Sequence, residues 1–95
     1  MRHFAHHIGD YAAATAHLSM LEDAAYHRLL RHYYSTERPL PKEVEEVCRI
    51  ARAHHRHEKT AVHKVLSEFF LLDQDGWHQS RADRELSTYK GLRQA

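Results

Sequence analysis

One cysteine, Cys48, is all the thiol chemistry this chain holds. It closes no internal disulfide and has no second thiol for a metal or redox pair, which suits a reducing compartment. The glycines, Gly9, Gly76 and Gly91, stand far apart, so no phosphate-cradling glycine loop is present. No stretch approaches the ~20 apolar residues of a membrane span, and residues Met1 to His7 lack the apolar core of a signal peptide. A cytoplasmic protein without a membrane partner is expected. Also missing are a nucleophile with its base and paired carboxylates in a cleft, so the chain reads as a non-enzyme without a cofactor.

What remains is 95 residues, 42% of them hydrophobic. A chain this short buries only roughly 60–65% of its unfolded surface and cannot divide into two cores, so residues 1–95 form one domain with its function on the outside. The net charge of +1 conceals a local excess: from Arg49 to Lys64 run five cations, Arg49, Arg52, Arg56, Lys59 and Lys64, against the single anion Glu58. His54, His55, His57 and His63 lie in the same stretch. From Arg81 onward, Arg81, Arg84, Lys90 and Arg93 outnumber Asp83 and Glu85, whereas the intervening segment carries Asp73 and Asp75 and no cation.

Residues 3–8 fit a short strand, with Gly9-Asp10 as the breaker after it. Ser19-Met20-Leu21-Glu22 has the form of a capping box, and a helix should run from about Met20 to Ser35. Leu21, Ala25, Leu29 and Tyr33 make one apolar line on it, and Tyr26, Leu30 and Tyr34 a second. Pro41 suits the first turn of a second helix, with Glu43, Glu45 and Glu46 near its positive end and Arg49 and Arg52 near its negative end. Val44, Val47, Cys48 and Ala51 supply its buried face, which makes Cys48 a packed thiol. After a joint at residues 53–56, a third helix from about His57 to Phe70 buries Val62, Val65, Leu66 and Phe69 and turns Lys59, Thr60, His63, Lys64 and Ser67 outward. Residues 69–80 read as a hairpin turned by Asp75-Gly76, over a core of Phe69, Phe70 and Trp77. A last helix over residues 81–92, capped near Ser80, carries Ala82, Leu86 and Tyr89. The expected fold is mainly α with a small β-hairpin, in the order of a winged helix-turn-helix.

Particular residues add to this order. His6-His7-Ile8-Gly9-Asp10-Tyr11, Thr15-Ala16-His17-Leu18-Ser19, Ala25-Tyr26, Leu29-Leu30, Tyr33-Tyr34, Pro39-Leu40-Pro41, Val47-Cys48-Arg49, Phe69-Phe70 and Asp75-Gly76-Trp77 follow one another across nearly the whole chain. In this the sequence resembles the YdaU-like family, a domain of unknown function found in phage and prophage proteins. Members are often the N-terminal part of longer proteins that resemble replication initiators, so the resemblance implies origin binding or recruitment of a replicative helicase or its loader. It carries over no catalytic residues. Ala24 stands where the family usually has glycine, and Ala14 where an acidic residue often precedes Thr15.

On the winged-helix order, the basic stretch covers the end of the second helix, the joint and the free side of the third, the part that meets double-stranded DNA. Arg49, Arg52, Arg56, His57, Lys59, Thr60, His63 and Lys64 are therefore the candidate DNA-binding residues, in replication initiation or transcriptional regulation. The acidic Asp73 and Asp75 of the wing have the wrong sign for phosphates. Either the wing does not touch DNA or the domain is instead a protein-interaction module of a phage replication or regulatory assembly, of which a homodimer formed through the last helix is one version. His54-His55-Arg56-His57 invites a metal, but neighbouring loop side chains diverge and Arg56 adds like charge, so no metal site is expected.

Overall fold

Ser19 fixes the start of the principal helix: its Oγ accepts the Glu22 amide at 3.2 Å while Glu22 Oε1 accepts the Ser19 amide at 3.0 Å. In the computed structural model, which describes residues 8–79 and 81–87, this helix is the second among the described residues. It follows α1 (Ile8–Thr15) and is α2 (Met20–Thr36). The helix α1 corrects the sequence reading, because Gly9 and Asp10 continue a helix instead of breaking a strand. Residues 3–7 of the expected strand lie outside the described residues.

Both apolar lines of α2 meet the core, with Ala25, Tyr26, Leu29, Leu30, Tyr33 and Tyr34 buried. The exception is Leu21, which is 45% exposed. It belongs to the first turn and borders a hollow with Ala51, Arg52 and Ala53. Ala24 is exposed too, beside a shallow hollow shared with Arg28, Ala51 and Ala53, so the methyl group that replaces the family's glycine meets open space.

The helix α3 (Val44–Ala51) starts three residues later than Pro41 suggests. Leu40 is held in extended backbone by a bridge to Trp77, its amide donating to the Trp77 carbonyl at 2.9 Å and its carbonyl accepting the Trp77 amide at 2.9 Å. The chain must first leave that bridge, and Glu43 becomes the N-cap. At the other end the Ala53 amide bonds the Cys48 carbonyl at 2.8 Å and the Arg52 amide bonds the Arg49 carbonyl at 3.1 Å. This is a Schellman motif whose left-handed position, φ 60°, is filled by Arg52 where glycine is usual.

The four-residue joint, 52–55, leads into α4 (Arg56–Phe69), whose Ala61, Val62, Val65 and Leu66 pack against α2 and α3. Phe70, the residue after the helix, is buried, while Phe69 is half-buried and lies 4.4 Å, centroid to centroid, from Tyr26. The hairpin of β1 (Leu71–Asp73) and β2 (Gly76–His78) is antiparallel, pairing Leu72 with Trp77 and Asp73 with Gly76. Gln74 and Asp75 are its loop, and neither has positive φ; Gly76 does, at 138°. The glycine is required less by the turn than by its neighbour, since a Cβ there would lie 2.1 Å from the Leu40 carbonyl oxygen. Residues 81–87 form a last helix, α5, and residues 88–92 of the expected helix lie outside the described residues. Gln79 opens it: its Oε1 accepts the Ala82 amide at 2.7 Å and its carbonyl accepts the Asp83 amide at 2.9 Å. The expected capping residue Ser80 lies outside the described residues. Ala82 and Leu86 enter the core, and the Tyr33 and Tyr34 hydroxyls donate to Asp83 and Glu85. Burial, with the adjoining carboxylates, raises both phenol pKa values. Among the described residues no helix is long and apolar enough to cross a membrane.

Candidate nucleic-acid interface

A helix repeats every 3.6 residues, so Arg56, Thr60, His63 and Ser67 fall on one line of α4. All four are exposed, and His57 and Lys64 flank them, also exposed. Arg49 is exposed near the end of α3, and the left-handed backbone of Arg52 carries its side chain out at the joint. Seven of the eight expected residues are thus exposed. Lys59, half-buried, turns toward α3, its Nζ 3.3 Å from Glu45 Oε2.

The cations are not equally available. Lys64 Nζ lies 3.3 Å from Glu22 Oε2, so both lysines have carboxylate partners. Exposed pairs of this kind are worth only about 0–1 kcal/mol, and a phosphate can replace the carboxylate. The Thr60 hydroxyl donates to the Arg56 carbonyl at 3.0 Å, leaving its oxygen lone pairs for a partner. Glu58, the one anion of the stretch, is occupied with the joint: Oε1 accepts the His54 amide at 2.8 Å and the His55 amide at 3.1 Å. Those two amides hold its carboxyl below the usual range. The anion is thus a helix cap.

The hairpin presents Asp73 and Asp75, both exposed, so its tip is acidic. His78 stands between two carboxylates, with Nε2 2.7 Å from Asp75 Oδ1 and Nδ1 3.4 Å from Asp83 Oδ2. The hydrogen bond with Asp75 raises the imidazole pKa most, burial opposes it, and Asp83 adds a smaller rise. Among the described residues, atoms able to ligate a metal converge at Asp73, Asp75 and His78, within 4.8 Å of one another, and not at His54, His55 and His57. Cys48 is buried, and desolvation followed by the charge of Glu45 raises its thiol pKa, which suits packing and not nucleophilic attack.

Sequence reading missed a second basic surface. Arg28, Arg31, His32 and Ser35 stand at helical spacing on α2 and, with Ile50 and Arg52, line an open groove of about 450 Å³ between α2 and α3. The signal was present as Arg28-x-x-Arg31-His32, but the apolar stripe on the same helix drew the reading inward.

The profile of a family described as "Protein of unknown function (DUF1376)" matches residues 2–87. An uncharacterized protein of Escherichia coli (strain K12), YdaU, is 35% identical over 85 residues, which is 88% of this chain and 28% of that relative. The chain therefore spans well under a third of that relative's length. No solved structure matches.

Proposed function

The chain belongs to the DUF1376 family, the YdaU-like family that its motifs resemble, and from that premise we propose that it is a DNA-binding domain of the winged-helix type serving replication initiation or transcriptional regulation. The observation that carries this reading is the outward face of α4. Arg56, His57, Thr60, His63 and Lys64 are exposed together on the helix that follows a short joint, with Arg49 and Arg52 beside them. A helix of that width fits a major groove about 12 Å across, so Thr60 and His63 come nearest to base edges while the cations at the flanks meet phosphates.

The winged-helix assignment draws support from the Leu40–Trp77 bridge. It supplies the third strand position, between the first and second helices of the unit, that a bare helix-turn-helix followed by a hairpin lacks. The acidic hairpin tip then stands off the DNA, and contact rests on α4 and the joint. No catalytic group is assigned, and the reading requires neither metal nor cofactor. Titration of a labelled random-sequence duplex at about 50 mM and about 200 mM salt tests the reading, because phosphate contacts by the five cations Arg49, Arg52, Arg56, Lys59 and Lys64 imply a loss of about 500-fold in affinity over that range. Saturable, salt-sensitive binding is expected. Absence of binding at the lower salt would refute it.

A further inference from the structure

The α2–α3 groove has a chemistry that the reading of α4 does not use. Three guanidinium groups, Arg28, Arg31 and Arg52, surround it with His32 and Ser35, and no carboxylate is among its lining residues. Arg28 is partly committed, donating from Nη1 to the Ala51 carbonyl at 2.9 Å, which ties α2 to the end of α3. Arg31 and Arg52 are exposed and form no ion pair among the described residues. Arg52 also holds a left-handed conformation that glycine would adopt without cost, so its side chain is retained at some expense to the fold. The half-buried Ile50 gives the groove an apolar element between these charges.

Geometry separates this groove from the α4 stripe. Since α4 packs on both α2 and α3 around one core, the outer groove between α2 and α3 faces away from the exposed side of α4. A duplex lying on α4 reaches only Arg52, the one groove residue that belongs to the joint. Packed helices stand about 8–10 Å apart, and the furrow between them is too narrow for a double helix whose major groove alone is about 12 Å wide. A single peptide chain fits, and a volume of about 450 Å³ is within the range of small-ligand sites. A nucleic-acid backbone offers Ile50 only the small C–H faces of its sugars, whereas a peptide offers carboxylates and an aliphatic side chain together.

We propose that the groove lined by Arg28, Arg31, His32, Ser35, Ile50 and Arg52 is a docking site for an acidic peptide segment of a protein partner, with carboxylates flanking one aliphatic residue. Guanidinium forks bind carboxylates through paired, charge-assisted hydrogen bonds, and the aliphatic residue covers Ile50. Apart from Arg52, which borders both, the residues of this site lie outside the α4 interface, so one domain holds a nucleic acid on one face and a protein on the other.

The test uses a fluorescein-labelled pentapeptide with a central leucine between paired acidic residues, followed by anisotropy, with amide chemical shifts mapping its position. Binding should perturb the amides of Arg31, Ser35 and Ile50. Arg31→Glu should weaken it at least about tenfold, since like charges then face each other, while Arg31→Lys should restore most of the affinity. Replacing the peptide's leucine with serine should weaken binding about fivefold or more. Arg31→Glu should leave duplex affinity and salt slope unchanged, so failure here and failure of the α4 reading are separately visible. Absence of peptide binding at millimolar concentration would overturn the proposal, as would binding indifferent to Arg31→Glu. Displacement of the peptide by a short single-stranded thymidine oligomer, at the same amides, would also overturn it and assign the groove to nucleic acid.

Discussion

Gly76→Ala is a small change with a calculable consequence. The φ of 138° at this position is a conformation that side chains rarely adopt, and holding one there costs about 1–3 kcal/mol. The new methyl would also sit 2.1 Å from the Leu40 carbonyl oxygen, and backbone cannot swing aside as a flexible side chain can. Relief requires opening the Leu40–Trp77 bridge, whose two hydrogen bonds of 2.9 Å contribute about 0.5–1.5 kcal/mol each. A loss of about 2–6 kcal/mol follows, a large share of the roughly 5–15 kcal/mol that stabilises a typical domain. For a chain of this size each kcal/mol lowers Tm by about 4–8 °C, so the melt should fall by at least about 8 °C. Trp77 is the single tryptophan, and its Nε1 donates to the Lys42 carbonyl at 3.3 Å, so its fluorescence reports this corner directly. Urea unfolding read by tryptophan emission, with hydrogen exchange at the Trp77 and Leu40 amides, measures both quantities. A loss under about 1 kcal/mol with both amides still protected would refute the argument from steric contact.

Ser19→Ala should cost about 1 kcal/mol and Leu29→Ala, fully buried, about 2–5 kcal/mol in thermal melts. For His78 the folded pKa is raised, so its contribution is fully present below the unfolded value near 6.5 and is lost as pH rises through the folded value. Melts of native protein and His78→Gln should therefore differ more at pH 6 than at pH 8.5; an equal difference would remove the Asp75–His78–Asp83 contacts from the account.

The features legible in the sequence are those set by local chemistry. Ser19 and Glu22 lie three residues apart and cap one another without help from the rest of the fold. The stripes of α2 and α4 likewise follow from spacing, as does the exposure of Thr60, His63 and Lys64. What escaped reading depends on distant partners. Pro41 has the residue preference of a first helical turn, yet the pairing of Leu40 with Trp77, far along the chain, keeps the backbone extended and delays α3. Gly9 resembles a breaker, but α1 runs through it, because a single glycine costs a helix only about 1 kcal/mol. The ion pairs of Lys59 with Glu45 and Lys64 with Glu22 also join separate helices, and composition cannot reveal them. The α2–α3 groove is invisible for the same reason, since Arg31 and Arg52 become neighbours only after packing.

The central claim is that α4 and its joint hold DNA, and the salt dependence of duplex binding by the native protein and by Arg52→Gly with Arg56→Gln tests it most directly. Arg52 is left-handed at φ 60°, so glycine there should stabilise the fold by about 1 kcal/mol, which prevents a loss of binding from being mistaken for unfolding. Each phosphate contact contributes about 0.9 to the slope of log K against log salt. The account predicts a variant that melts no lower than the native protein and binds more weakly, with a slope flatter by nearly two units. An unchanged slope and affinity in a stably folded variant would contradict it and remove DNA contact from this face of the molecule.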